Sequence, residues 1–368
     1  MQPSQILNRH YAFVLAAIAI GCSAPDSVNS PTALTGLQLD AARPTDPGYT
    51  VVELPTFAGD RESFAVDVND AGTVVGYGIG STFPRGFVLT ATSSTPIPLG
   101  DATSWSRGLA ISSGSNGSPL YVVGDYASIT ENSHATRWTV DAVAGTAIAT
   151  TLSTEIGYAN GVNDGGKAVG SSGSDAVIWA LDGTVMTIVP PEATFTNGVG
   201  RDINNADHSV FNFSGPSYTR TYFRNADGRM IELPPLSGDV STYGRRVSEV
   251  SGNTVYVAGT SFLNDNSFHA MRWTIDVTSN SIITTENRSE TSSSSDVSTG
   301  GSMSGSLTGR QKSTPFLWRL TGLLLTLNPP KGGGSADASG ISDNGKYLVG
   351  QAFIRQHRRA VLWTFSTP

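Results

Sequence analysis

The sequence contains a single cysteine, Cys22, and only 14% of its residues are charged. One cysteine excludes any intrachain disulfide, so no cross-link of that kind stabilises the fold. Beyond residue 20, no apolar run reaches the ~20 residues that a membrane-spanning helix requires. No later window keeps apolar residues at helical spacing over three turns either, so the sequence predicts almost no helix.

Short motifs of several enzyme classes are also missing. The sequence has no metalloprotease helix motif, nucleophile elbow, phosphate-binding loop or dinucleotide-binding fingerprint. The formal net charge is −7, and removal of residues 1–21, which hold Arg9 and no acid, leaves 22 basic and 30 acidic residues, or −8. An acidic surface argues against binding to nucleic acid and against electrostatic binding to anionic lipid. The sequence therefore assigns no catalytic residue, no metal ligand and no cofactor.

What the sequence does contain is a repeat. Residues 64–76 read Phe-Ala-Val-Asp-Val-Asn-Asp-Ala-Gly-Thr-Val-Val-Gly, which is a short apolar strand, an Asn-Asp-x-Gly turn and a second strand; copies lie at 160–170 and 338–350. The residue that ends the second strand recurs every 42 to 48 positions, at Gly76, Gly124, Gly170, Asn212, Gly259, Gly305 and Gly350. A large apolar residue follows each of them 9 to 14 positions later, at Leu89, Trp138, Trp179, Phe223, Trp273, Trp318 and Trp363. A fixed period of this length indicates a repeat architecture.

Four strand signals occur within each period. In the second repeat they lie at 108–112, 120–124, 134–139 and 145–152, and they are β-branched or aromatic and bounded by Gly, Asn, Ser and Pro. Four short strands every ~45 residues are typical of β-propeller blades. The sequence thus predicts an all-β fold, a seven-bladed β-propeller with four-stranded blades over residues 49–368.

The two ends of this propeller segment complement each other. The last repeat supplies only three strand signals, ending at 359–365, and Tyr49-Thr-Val-Val-Glu-Leu54 resembles the outer strands at 229–233 and 323–327. We therefore expect the N-terminal strand to complete the last blade and close the ring, which removes an exposed sheet edge.

The first 48 residues differ in composition from the repeats. Residues 1–21 combine one basic residue with the apolar run 13–20 and predict a secretory signal peptide. The segment Ala19-Ile-Gly-Cys22 resembles the lipobox of bacterial lipoproteins, in which the cysteine is diacylated, although leucine is usual at the place of Ala19. A plain signal peptide cut nearby is the alternative. Residues 22–48, rich in Ser, Thr, Pro, Ala and Asp, predict a flexible tether.

These features predict where the protein resides. We expect it to be exported, as an outer-membrane or cell-surface lipoprotein, or otherwise as an extracellular or periplasmic protein. The lipid on Cys22 is then its only attachment to a membrane, and two or more acyl chains give stable anchoring.

The third strand of the repeat carries a further pattern. It reads His134-Ala-Thr-Arg-Trp138 in the second repeat and His269-Ala-Met-Arg-Trp273 in the fifth. With the preceding hairpin, residues 49–365 resemble the HAF-repeat family of bacterial extracellular proteins, whose usual third strand is His-Ala-Phe-Leu-Trp. Other copies lack the histidine, and the first and fourth have Leu89 and Phe223 in place of tryptophan. The resemblance implies secretion and a β-propeller, and it brings no established activity.

Residues that recur at one place in every repeat have a structural interpretation. We expect the tryptophans of the third strands to fill the space between neighbouring blades rather than to stack on sugars. Asn-Asp pairs such as Asn69-Asp70 offer oxygen ligands for calcium, but their spacing is that of a hairpin turn with positive φ, so we predict turns and no metal site. His134 and His269 begin equivalent strands, which also favours a structural role.

Residues that depart from the repeat lie where the innermost strand begins. A small residue recurs three positions before an apolar residue of this strand, at Ala65, Gly108, Ala159, Gly200, Gly244 and Ala338. The neighbours that break the repeat are Trp105, Arg107, Tyr158, Arg201, Tyr243, Arg245 and Asp337. Three arginines and three aromatic residues on one rim of an acidic protein predict a pocket for an anionic or sugar-like ligand. The alternative is that the arginines only pair with nearby acids, namely Asp60, Asp101, Asp202 or Asp239.

Three functions remain open at this point. The first is a secreted or lipid-anchored binding module that holds a polysaccharide or a protein partner at the rim. The second is an enzyme that degrades extracellular polysaccharide, like the lyases among seven-bladed propellers, with Tyr158 or Tyr243 as base or acid and Arg201 and Arg245 neutralising a uronate carboxylate. The third is a structural surface scaffold. The sequence predicts no oligomeric state.

Overall fold

The computed structural model describes residues 48–80, 83–101, 103–114, 119–128, 130–265 and 267–366. These residues form strands and turns, and none of them belongs to a helix. Within these ranges there is accordingly no helix long and apolar enough to cross a membrane. The all-β prediction is confirmed, whereas the predicted signal peptide, Cys22 and nearly all of the tether lie outside the described residues.

The strands form six sheets, of which five are four-stranded. In four of these five, the strands follow the order of the chain and each pairs antiparallel with the next. They are β2–β5 at Glu62–Val68, Val74–Ile79, Pro84–Leu89 and Ile97–Pro98; β13–β16 at Asn197–Ile203, Ser209–Ser214, Thr219–Arg224 and Met230–Leu233; β17–β20 at Ser241–Val247, Thr254–Phe262, Phe268–Asp276 and Ser281–Asn287; and β21–β24 at Ser292–Val297, Met303–Thr308, Ser313–Trp318 and Leu324–Thr326.

The fifth four-stranded sheet contains the first strand of the described chain beside the last one. Its strands are β25 at Ala336–Ile341, β26 at Tyr347–Ile354, β27 at His357–Phe365 and β1 at Tyr49–Glu53. β1 pairs antiparallel with β27, so that Val51 lies opposite Trp363. The hydroxyl of Tyr49 also accepts a hydrogen bond from the N–H of Asn328 at 2.9 Å. The predicted pairing of the N-terminal strand with the last strand is thus present.

The sixth sheet has seven strands, where the sequence predicts two separate blades. Its strands are β6 at Trp105–Ile111, β7 at Leu120–Ala127, β8 at His134–Asp141, β9 at Thr146–Val162, β10 at Ala168–Ser172, β11 at Asp175–Trp179 and β12 at Val185–Ile188. The first part of β9 pairs with β8, and residues 157–162 pair with β10. Residues 153–156 contain no Gly or Pro, and Thr154 and Ile156 are β-branched, so the chain continues as one strand between the repeats.

One strand from every repeat borders a common cavity. We call β2, β6, residues 157–162 of β9, β13, β17, β21 and β25 the first strands. Each of them contacts the next in this order, and β25 contacts β2. Residues from all of them line a cavity of about 60 Å³. The leading end of the first strands is the side of the cavity where they begin. The turn end is the opposite side, where each first strand passes into the turn that precedes the second strand.

The glycine that marks the repeat has a packing reason. A bulge interrupts the pairing of the first strand with the second, in the first repeat between Ala65 and Asp67. A Cβ atom at Gly76 would overlap the carbonyl oxygen of Phe64. A residue without a side chain accepts such a close approach of backbone, which explains the glycine at this position in six of the seven repeats; the fourth repeat has Phe211 there, opposite Gly200.

The large residues of the third strands fill the space between neighbouring sheets, as the sequence predicts. Trp138 is 1% exposed and packs against Val75 and Leu99 of the preceding sheet and Val122 of its own. Trp179, Trp273 and Trp363 are equally buried. The clusters around Trp138, Trp273 and Trp363 each contain residues of two sheets, so burial of these rings holds successive sheets together, whereas Trp179 packs among strands of the seven-stranded sheet.

The Asn-Asp-x-Gly segments form turns that also join neighbouring repeats. The Oδ1 of Asn69 accepts hydrogen bonds from the N–H groups of Ala71 and Thr73, and Gly72 has a φ of 74°. The Nδ2 of Asn69 donates to the carbonyl of Ser112 in the next repeat. The predicted turn with positive φ is confirmed, and the asparagine has a second role that the sequence did not indicate.

Candidate functional site

Three of the predicted rim residues meet at the leading end of two adjacent first strands. Arg201 comes from β13, and Tyr243 and Arg245 come from β17. The guanidinium carbons of Arg201 and Arg245 each lie 5.0 Å from the centre of the Tyr243 ring. At this distance a cation is attracted to the electron-rich face of an aromatic ring. We call these three residues the arginine–tyrosine cluster.

Arg201 has no carboxylate partner in the part of the chain that the structure describes. Its Nε is buried and has no hydrogen-bond partner among those residues. The adjacent acid, Asp202, points its carboxylate to Arg246 instead, at 3.4 Å. The alternative from the sequence, in which the rim arginines only pair with nearby acids, is therefore wrong for Arg201.

The phenol of Tyr243 is the group most affected by this arrangement. The positive charge of Arg201 lowers its pKa, burial opposes that effect, and Arg245 and a hydrogen bond with Asn212 lower the pKa further. In the register of β13 and β14, Phe211 lies opposite Gly200 at the place of the marker glycine, so the assignment of that place to Asn212 from the sequence is off by one residue. The side chain of Asn212 binds the N–H and the carbonyl of Gly244, at 2.9 and 3.0 Å, and so fixes the strand that carries Tyr243.

Two further predicted residues belong to a separate cluster in β6. The guanidinium of Arg107 donates to both carboxylate oxygens of Asp125, at 2.9 and 3.0 Å, and the indole N–H of Trp105 donates to Asp125 at 3.0 Å. Asp125 is only 1% exposed. The bidentate pair with Asp125 neutralises the positive charge of Arg107, so Arg107 is less suited to bind an anion than Arg201. Asp125, the partner of Arg107, is not one of the four acids that the sequence suggested as partners.

The last two predicted residues lie elsewhere on the leading end. Asp337 of β25 accepts hydrogen bonds from the Ser313 hydroxyl and from the Gln351 amide. Tyr158 is half-buried in β9, opposite Ser171 of β10. The structure therefore assembles three of the seven predicted rim residues into one cluster and uses at least three others for contacts within the sheets.

The central cavity is crossed by an arginine that the sequence analysis missed. Arg246 of β17 donates to the carbonyls of Asn160 and Leu109, both at 3.1 Å, and forms ion pairs with Asp67 and Asp202, both at 3.4 Å. Its side chain thus bridges from its own strand to four other first strands. The signal was present in the sequence, because the equivalent position of three other repeats holds an aspartate, at Asp67, Asp202 and Asp296.

These aspartates join neighbouring first strands. Asp67 accepts hydrogen bonds from the N–H of Val68 in its own strand, at 2.8 Å, and of Ile111 in the next, at 3.1 Å. Asp202 and Asp296 bind the next strand in the same way, through Val247 and Ile341, both at 2.9 Å. Burial raises the pKa of Asp202 to about 6, against the opposing effect of Arg246. These carboxylates are therefore structural groups that hold adjacent strands in register.

The turn end of the cavity is acidic. Burial, together with the negative charge of the acids around the cavity, raises the pKa of Glu249 to about 7 and that of Asp343 to about 8. Their neighbours are mostly engaged with one another, for example Asp164 with Ser113 and Asn205. Within the described ranges, no three His, Cys, Asp or Glu side chains form a group that could hold a metal ion.

Two more buried arginines were missed because they lie in the third strands. Arg137 of β8 donates to the carbonyls of Gly166, at 2.8 Å, and Leu181, at 3.1 Å, in the next repeat. Arg272 of β19 donates to the carbonyl of Gly301 at 2.8 Å, again in the next repeat. These arginines satisfy carbonyls of the neighbouring turns and so have a structural role.

Comparison with known proteins supports the fold. No family model and no curated protein matches this sequence. Among solved structures, the chain is similar to virginiamycin B lyase from Staphylococcus aureus, with a TM-score of 0.56 and 14% identity over 86% of this chain and 99% of that one. It is also similar to oligogalacturonate lyase from Vibrio parahaemolyticus, with a TM-score of 0.57 and 10% identity over 90% and 97% of the two chains. The Dos1 propeller gives a TM-score of 0.51 and 11% identity over 86% and 96%. At such low identity the likeness establishes the fold alone, that of a β-propeller.

Proposed function

We propose that this β-propeller is a binding module that holds an acidic polysaccharide at the arginine–tyrosine cluster. The observation that carries the proposal is the side chain of Arg201, which lacks a carboxylate partner among the described residues although the chain as a whole is acidic. A guanidinium offers a planar fork of N–H donors that matches a carboxylate. A uronate carboxylate would supply the missing negative charge.

Tyr243 suits the same ligand. Both guanidinium groups lie 5.0 Å from the centre of its ring, and a partly exposed aromatic ring can pack against the apolar face of a sugar. Arg201 and Arg245 then bind the carboxylate while Tyr243 contacts the ring that bears it. This arrangement favours a polysaccharide over a protein partner, because the cluster is small and concave rather than a broad apolar surface.

Binding of acidic polymers tests the proposal. The full-length chain should be retained by immobilised polygalacturonate and hyaluronate and pass through neutral dextran. The double substitution Arg201→Ala and Arg245→Ala should weaken retention by at least about tenfold, as expected for loss of a charge-assisted carboxylate site. Arg310→Ala removes an exposed positive charge away from the cluster and serves as the control for net charge. Equal retention of all three proteins would exclude the cluster as the site.

A second function is favoured by the lowered pKa of Tyr243. A phenolate held by two guanidinium groups can act as a general base, and in a lyase it would take the proton next to the uronate carboxylate. The C–O bond at the neighbouring carbon then breaks, the leaving oxygen takes a proton, and an unsaturated uronate forms. Two of the similar structures are lyases by name, but that likeness concerns the fold.

One measurement distinguishes the binding module from the lyase. A lyase would raise the ultraviolet absorbance of polygalacturonate or hyaluronate as unsaturated ends accumulate, and Tyr243→Phe would abolish the increase. Retention of the polymer without any increase in absorbance supports the binding module and rules out the lyase for that polymer.

The proposal includes the architecture and the cellular location. We count the seven-stranded sheet as two blades that share β9, which gives seven blades closed by β1, and we assign the chain to exported HAF-repeat proteins anchored through Cys22. The cyclic contacts between first strands support the blade count. Cys22→Ala should move the protein from the membrane fraction to the soluble fraction of the cells that produce it; unchanged membrane association would contradict the anchor.

A further inference from the structure

An open cleft of about 380 Å³ lies beside the arginine–tyrosine cluster. It is formed by the start of β15, the start of β17 and the segment that follows β18. The lining side chains that matter for the argument are Thr219, Ser241, Thr242, Tyr243, Phe262 and Asn264. Tyr243 belongs to both the cluster and the cleft lining, so a ligand bound at the cluster can extend into the cleft.

Backbone and aromatic contacts hold the walls of this cleft in place. The N–H of Val240 donates to the carbonyl of Phe262 at 2.8 Å, and Arg220 donates to the carbonyl of Val240 at 2.6 Å. The rings of Phe262 and Phe268 lie 5.9 Å apart. The cleft is therefore formed before any ligand arrives, and binding costs little reorganisation there.

The chemistry of the lining differs from that of the cluster. None of the described residues that line the cleft carries a charge. They present hydroxyl groups, the exposed carboxamide of Asn264 and the partly exposed ring of Phe262. Hydroxyl and amide groups hydrogen-bond to sugar hydroxyls, and an aromatic ring packs on their C–H faces. Arg220 donates to the Val240 carbonyl on the cleft wall, but its guanidinium is paired with Glu232 at 3.1 Å. None of the described lining residues is a cation that could neutralise a second carboxylate, and Asp239 and Asp265 adjoin the lining in sequence.

We propose that the cluster binds one uronate residue and that the cleft binds the neutral sugar linked to it. The preferred ligand is then an acidic heteropolysaccharide in which uronate and neutral sugars are adjacent, whereas a homopolymer of uronate binds through the cluster alone. This inference rests on the proposed function and adds the class of polymer to it.

Calorimetry on the full-length chain with three small probes tests the inference. The probes are glucuronate, a disaccharide of glucuronate joined to galactose, and digalacturonate. The mixed disaccharide should bind about tenfold more tightly than glucuronate, because it gains contacts with Phe262 and Asn264. Digalacturonate should show no comparable gain, because its second carboxylate would enter a cleft where the guanidinium of Arg220 is already paired with Glu232.

Variants locate the second subsite. In Phe262→Leu and Asn264→Ala, the ratio of the two dissociation constants, glucuronate to mixed disaccharide, should fall towards one. Asn264 is exposed, so its substitution tests the cleft without a risk to folding. An unchanged ratio in both variants, or tighter binding of digalacturonate than of the mixed disaccharide, overturns the inference while glucuronate binding upholds the proposed function. Failure of all three probes to bind overturns both.

Discussion

The two ends of the first strands use equivalent repeat positions in different ways. At the turn end, Asn69, Asn163 and Asn204 make the same contact, since each donates its amide N–H to a carbonyl of the next repeat. At the leading end, the positions equivalent to Tyr243 hold a different residue in almost every repeat, for example Ser293 and Asp337. A contact that recurs around the cavity holds the repeats together, whereas a position whose residue varies between repeats is not tied to that shared contact.

Charge separates the two ends as well. The turn end gathers carboxylates, among them Glu249 and Asp343, while the leading end carries Arg201 and Arg245. Arg246 lies between them and ties four other first strands together. Substitutions at the turn end and at Arg246 should therefore affect stability, and substitutions at the leading end should affect binding.

The largest effect on stability is expected from Arg246. Arg246→Met keeps much of the side-chain volume but leaves Asp67, Asp202 and Asp296 buried without their cation. Breaking a buried ion pair in this way costs about 3–5 kcal/mol of unfolding free energy. Urea unfolding measures the loss, which should be smaller at low pH, where the carboxylates can take up protons. A loss below about 1 kcal/mol at neutral pH would contradict this account.

The carboxylates of the cavity should also make stability depend on pH. In the folded protein the pKa is about 6 for Asp202, about 7 for Glu249 and about 8 for Asp343, while an unfolded carboxyl titrates near 4. Between about pH 4 and pH 8 the folded state therefore holds protons that the unfolded state has released. Stability should fall as the pH rises through this window, by up to about 1 kcal/mol per pH unit for each group.

Unfolding by urea at a series of pH values tests this dependence. Glu249→Gln removes one titrating group and should flatten the curve between about pH 5 and pH 7. Stability that instead rises with pH across the window would show that these carboxylates are ionised in the folded protein.

An intermediate effect is expected from the repeated asparagine. Asn69→Ala removes the acceptor for the N–H groups of Ala71 and Thr73 and the donor to Ser112. Loss of these buried hydrogen bonds should lower the free energy of unfolding by about 1–3 kcal/mol. Asn197, which is exposed at the leading end of β13, provides the matched control. If Asn197→Ala is as destabilising as Asn69→Ala, the two ends do not differ in the way proposed.

The smallest effect on stability, within about 0.5 kcal/mol, is expected from Arg201→Ala. The same substitution should raise the pKa of Tyr243, because Arg201 is the main cause of its lowering. Ultraviolet titration of the phenol, with Tyr243→Phe to identify its signal, measures the shift. An unchanged titration would mean that Arg201 does not act on Tyr243 in solution.

Sequence patterns predicted most of the fold and part of the site. The marker glycines, the Asn-Asp turns and the tryptophans each correspond to a contact made within a repeat or with its neighbour, so their period is visible in the chain. The continuous strand β9 was not predicted, although residues 153–156 contain no Gly or Pro that would mark a turn between the two repeats. Arg107 was predicted as a ligand-binding residue, but its pairing with Asp125 depends on the register of β6 and β7.

The sequence by itself determined that the chain is all-β, that it repeats, and that its N-terminal strand can join the last one, because these properties follow from local strand and turn preferences. Only the tertiary structure decided which arginines gather at Tyr243 and which one crosses the cavity. Arg245 and Arg246 are adjacent in the sequence, yet the bulges of the first strands send Arg246 across the cavity to Asp67 and Asp202 and bring Arg245, with Arg201 of β13, to Tyr243. That choice depends on distances between strands that lie far apart along the chain.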